Sequence, residues 1–133
     1  MLQRDYFIRI IQEFMAALGK FLEKKEAEEQ HDEHLRELYR QYVGTYEIVR
    51  NLSFEELLAY AQEQWKEEER LQRLEMTAEL LYAEGCYKQA PLRQMLLEKA
   101  FLVFDYVDVH GTMFSIGRRQ KMEAIRKEIH TLE

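Results

Sequence analysis

The chain contains one cysteine, one proline and five glycines in 133 residues. A lone thiol, Cys86, excludes an intrachain disulfide framework and suits a reducing compartment, so a cytoplasmic location is expected. With so few turn-forming residues, an all-β architecture with many tight turns is excluded. No apolar run approaches the roughly 18 residues that cross a membrane. The first 25 residues are broken by Arg9, Gln12 and Glu13 and lack the clean apolar core of a signal peptide. Basic excess is missing too: 19 Lys and Arg against 25 Asp and Glu give a net charge of -6. That balance predicts no general affinity for nucleic acid, which needs a basic stripe to displace counterions. The glycines are isolated and no Gly-Lys-Ser/Thr occurs, so no phosphate-cradling loop is expected.

What is present is helical patterning. The composition, 47% hydrophobic and 33% charged, suits a folded chain of about one domain's length. Residues 1–133 are read as a single all-α domain of about six helices. It comprises an N-terminal helical hairpin over 1–44 and a second helical region over 53–133. Phe7, Ile11, Phe14, Leu18 and Phe21 are spaced 4, 3, 4, 3, and Ile8, Met15 and Leu22 widen the stripe. This breadth exceeds what one neighbour covers, and predicts a homodimer through residues 3–25. Ala16, Ala17 and Gly19 would admit a closely approaching helix. A second helix carries Leu35, Leu38, Tyr39, Tyr42 and Val43 and stops at Gly44, a residue that accepts a left-handed backbone. Tyr39, Tyr42 and Tyr46 are the aromatics expected at a binding rim.

Ser53-Phe54-Glu55-Glu56 reads as a capping box that starts a third helix. The apolar phase set by Leu57, Leu58, Ala61 and Trp65 is lost at Glu68 and Glu69, which predicts a break near residues 64–67. Leu71, Leu74, Ala78 and Leu81 form the next inner face, and that helix is expected to end at Gly85. Pro91 suits the first turn of the following helix, whose segment from Met95 to Val109 is expected to be the buried centre. Ser115 is expected to cap a last helix bearing Ile116, Met122, Ile125, Ile129 and Leu132.

The pieces AELLYAEGCY and LLEKAFLVFDYV resemble the two helices of a degenerate tetratricopeptide repeat. Ala83 stands at the small-residue position of the first helix, and Ala100 and Phe104 match the Ala-x3-Phe pattern of the second. The opening DYFIRIIQEFMAALGKFL resembles that of small bacterial proteins in which such a helix precedes tetratricopeptide-like hairpins. The resemblance implies antiparallel helix pairs, a bacterial origin and a non-catalytic protein-binding role.

Chemistry-bearing constellations are incomplete. Glu28 and His31 have the Glu-x-x-His spacing of di-metal bundles, but no second copy exists. His31 and His34, at i,i+3, could supply half of a zinc site. Asp105 and Asp108 share a helix face near His110 and could do acid–base work. These two groups define the alternative reading, a small helical enzyme or metal-binding protein. The leading expectation is an interaction or scaffold module with no catalytic residues, cofactor or metal, and with a protein or peptide partner. On it, Glu68, Gln72, Glu75 and Glu79 line a groove that prefers a basic segment, and they lie on the surface. The bases Arg118, Arg119, Lys121, Arg126 and Lys127 form a solvated helix face. Cys86, at a helix C-terminus, is expected to be buried and inert.

Overall fold

A computed structural model describes the backbone of residues 2–132 and the side chains of residues 5–130. Among these there are seven helices and no strand. They fall into two compact units, Met1–Asn51 and Leu52–Glu133.

The first unit holds α1 (Leu2–Glu23), α2 (Glu28–Tyr42) and the short α3 (Tyr46–Val49). The last is absent from the sequence reading, because one turn carries no periodicity. The expected stripe of α1 supplies the buried Phe7, Phe14, Leu18 and Phe21, and α2 supplies Leu35, Leu38, Tyr39 and Tyr42. Phe14 meets the Tyr42 ring edge-on at 5.2 Å, and Phe21 stacks on His31 at 3.9 Å. Tyr39 and Tyr42 are therefore core residues, which corrects their reading as rim aromatics. Their rings are edge-on aromatic contacts, and such pairs add to simple burial. Gly44 has φ 140°, and its N–H donates to the Tyr39 carbonyl at 2.7 Å. A Cβ would strain that backbone, so the stop is chemically specified.

The second unit holds α4 (Phe54–Gln64), α5 (Glu67–Tyr87), α6 (Leu92–His110) and α7 (Ile116–Leu132). The capping box forms as the sequence predicts. The Glu56 N–H donates to Ser53 Oγ at 3.1 Å, and the Ser53 N–H donates to Glu56 Oε1 at 2.8 Å. The break falls at Trp65, whose backbone is extended between α4 and α5. Arg70 secures it by donating to the carbonyls of Ala61, Gln62 and Trp65. The Ala61 carbonyl also accepts from the Trp65 N–H at 3.1 Å, so the guanidinium adds donors where the helix's own N–H groups run out.

α5 and α6 make the most extensive packing in the chain. Leu74, Ala78 and Leu81 face inward with Leu96, Leu97, Ala100, Val103, Phe104 and Val107. Gly85 does not end α5, as expected, but lies inside it. A Cβ there would stand 2.8 Å from Leu97 Cδ2. The glycine marks close approach of two helices, and α5 runs two residues further. α7 packs mainly on α6, and buries Met122 and Ile125. Ser115 Oγ accepts from the Arg118 N–H at 3.1 Å, the expected N-terminal cap. The side chain of Leu132 lies outside the described residues, as do those of residues 3 and 4.

Candidate functional site

The expected groove residues separate into two pairs. Glu68 and Gln72 are exposed. Glu79 is buried, only 8% exposed, which corrects its expected surface location, and Glu75 is half-buried. One turn apart on α5, they meet two bases one turn apart on α7. Arg118 Nη1 donates to Glu75 Oε2 at 2.9 Å, and Lys121 Nζ donates to Glu79 Oε2 at 2.9 Å. The acidic stripe does face a basic helix, and that helix belongs to the same chain.

Arg118 is the centre of this seam and is 4% exposed. Beyond Glu75 it donates to Asp108 on α6 and to the Met113 carbonyl at 2.8 Å. Desolvation works against its charge, but hydrogen bonds and charge from Glu75 and Asp108 outweigh it and raise its pKa. Arg119 adds a second contact to Asp108 at 2.9 Å. At the other end of α7, Glu128 accepts two bonds from Arg93 at 2.7 and 2.8 Å. Arg93 also donates to the carbonyls of Gly85 and Cys86 near the end of α5. Planar guanidinium suits such multi-centre bonding. The basic cluster expected to be a solvated face is thus divided: Arg118 is buried, Lys121 half-buried, and Arg119, Arg126 and Lys127 exposed.

Glu79 and Glu128 shift in opposite directions. Burial raises the Glu79 carboxyl pKa despite the bond from Lys121, whereas the Arg93 bond lowers that of Glu128. A raised carboxyl means the folded state holds its proton to higher pH than the unfolded chain. Its contribution to stability therefore falls as pH rises above about 4.5, the unfolded value. Urea denaturation of the parent and Glu79→Gln at pH 5 and pH 7 reads this directly. The variant is expected to gain stability relative to the parent between the two pH values. A constant difference would remove the assignment.

Asp105 and Asp108 do not converge. Asp105 is exposed, Asp108 is engaged by Arg118 and Arg119, and His110 Nδ1 lies 2.9 Å from the Tyr106 carbonyl. In the first unit, Nδ1 of His31 and of His34 lie 3.0 and 2.8 Å from Glu26 Oε1. These bonds hold the Glu26 carboxyl below its usual range. They tie the start of α2 to the preceding link. Among the described residues no group of three or more His, Cys, Asp or Glu is placed to hold a metal ion. Cys86 is exposed, which corrects the expectation of burial. Desolvation of the thiol raises its pKa against the lowering by Tyr82 and Arg93, so it stays a protonated, weakly nucleophilic thiol at neutral pH.

The segment Met95–Val109 is buried on one side only. Met95, Leu102 and Val109 are 65%, 47% and 69% exposed. Their spacing of seven places them on one outer face of α6. Exposed Glu98 and Asp105 fall between them. The link after α6 adds exposed Met113, Phe114 and Ile116. This corrects the expectation that the whole segment is core; the pair of acids recurring at the same interval is the sequence signal of the open side. A separate cleft of about 550 Å³ lies beside Leu58, Gln62, Arg70 and Tyr106. Its one arginine is committed to helix-end carbonyls.

No protein-family model matches the chain, and no curated protein or solved structure matches it. No described helix is long and apolar enough to cross a membrane.

Proposed function

We propose that the chain is a non-catalytic protein-interaction module whose docking face is the outer side of α6. The observation that carries this is the exposed Met95–Leu102–Val109 stripe with Glu98 and Asp105 between its members. Exposed apolar residues recurring every seven positions, with acids between them, fit a helical partner. The two acids select a partner whose apolar face is interrupted by Lys or Arg. This keeps the basic partner expected from the sequence and moves its site from α5 to α6.

We read α5 and α6 as an antiparallel, tetratricopeptide-like hairpin. Three contacts support this: Gly85 with Leu97, Tyr82 with Phe104, and Leu71 near Gly111. Later residues of α6 meet earlier residues of α5. The N-terminal hairpin is read likewise from Phe21 with His31 and Phe14 with Tyr42. Self-association through residues 3–25 is part of the same reading, supported by exposed Ile8, Met15 and Leu22. The enzyme or metal reading has less behind it, since Asp108 is bound by two guanidiniums and His31 and His34 share Glu26.

The test is cross-linking in the native cell, followed by binding assays with the captured protein. Leu102→Asp places a third acid in the stripe, at a residue 47% exposed. It is expected to weaken binding at least about tenfold, given what a central interface residue contributes, with an unchanged helical circular dichroism spectrum. Equal binding by the variant would end this assignment of the docking face.

A further inference from the structure

Among the described residues a second exposed apolar face lies on α1. Ile8, Met15 and Leu22 are 45%, 52% and 58% exposed. A spacing of seven puts all three on one side, offset from the buried phenylalanines at 7, 14 and 21. Gly19 lies on this same side, and apart from its own helix backbone no atom of the described residues comes within 4 Å of where its Cβ would be. A glycine inside a helix costs about 1 kcal/mol relative to alanine. No packing contact among the described residues accounts for it. Exposed Ala16 stands nearby. The face therefore combines a large-residue stripe with a flat spot at its middle.

Charge decides what can lie on it. Exposed Asp5 and Arg9 flank the stripe on one side near its start, and exposed Glu23 flanks it on that same side near its end. A two-fold axis perpendicular to the helices brings like flanks together and reverses direction. In that arrangement Arg9 of each copy reaches Glu23 of the other, twice. A parallel pair would instead align each end of α1 with its own copy and lose both complementary pairs.

We infer that α1 pairs with α1 of a second copy in antiparallel register, centred between Met15 and Ala16, with Arg9 facing Glu23 across the interface. At that register Gln12 lies over Gly19 of the second copy, where the missing side chain makes room for it. Ile8 lies beside Leu22 of the second copy. The inference rests on the self-association reading above and adds its geometry. One helix face is small against the roughly 1,600 Å² of a standard interface, so the dimer is a weak one that forms at tens of micromolar and above.

Two measurements separate the geometry from the association itself. Light scattering at about 100 µM reads the mass. In a Cys86→Ser background, mild oxidation of single-cysteine variants reads the register. The expected result is a dimer in which Met15→Cys links to itself. Ile8→Cys and Leu22→Cys are expected to link only when the two variants are mixed. Arg9→Glu is expected to weaken the dimer about tenfold, and the swap Arg9→Glu with Glu23→Arg to restore it. A monomer at about 100 µM overturns both the self-association and its geometry. A dimer in which Ile8→Cys links readily to itself leaves self-association standing and overturns the antiparallel register.

Discussion

Arg118→Met is expected to destabilise the protein by about 3 kcal/mol, in the range for removing one partner of a buried ion pair. The methionine preserves most of the stem volume, so the loss reports the guanidinium. Without it, Glu75 loses its partner, the Met113 carbonyl loses a donor, and Asp108 keeps only Arg119. Arg119 is the internal control. Its side chain is 57% exposed and binds the same Asp108, and an exposed ion pair contributes about 0–1 kcal/mol. Arg119→Met is therefore expected to change stability by about 0.5 kcal/mol or less. Urea denaturation of the two variants side by side checks the contrast. Equal, small effects would mean that Arg118 is not held in a buried ionic seam.

Gly85→Leu is expected to cost a similar amount, about 3 kcal/mol, at the upper end of what overpacking causes. The Cβ alone would approach Leu97 Cδ2 to 2.8 Å, Leu97 Cγ to 3.0 Å and Leu96 Cβ to 3.5 Å, and leucine adds three further carbons to this buried position. Gly85→Ala is a different case. The clashing atoms belong to a side chain that can rotate, and alanine gains about 1 kcal/mol of helix propensity. The alanine variant is expected near the parent's stability. Combining Gly85→Leu with Leu97→Ala is expected to recover a large part of the loss. Failure of that rescue, measured by thermal and urea denaturation, would show that the glycine acts through its backbone and not through close packing.

These two residues also show where the sequence was legible. Signals confined to one helix turn read correctly: the Ser53–Glu56 box, Gly44 as a stop, Ser115 as a cap and the phase break before Glu67. Each depends on residues three or four apart. Gly85 looked like a stop for the same local reason that Gly44 did. What distinguishes them is Leu97, twelve residues later on another helix. Arg118 looked like solvent-facing charge because its partners are 43 and 10 residues away. A trace of that pairing was present: acids at 75 and 79 and bases at 118 and 121 occupy successive turns. Matching them requires knowing that α7 returns to α5. The α6 stripe was missed because apolar residues around most of a helix read as burial, whether or not a second face is covered.

Glu75 and Glu79 of α5 are bound by Arg118 and Lys121 of the chain's own α7. A double-mutant cycle on Glu75→Gln and Arg118→Met tests it most directly, by urea denaturation of the parent, both single variants and the double variant. Residues joined in one buried network couple by about 0.5–3 kcal/mol, and the 2.9 Å bond between them predicts a coupling of about 1.5 kcal/mol. Additivity within about 0.3 kcal/mol would contradict the account, because distant and unconnected sites behave that way.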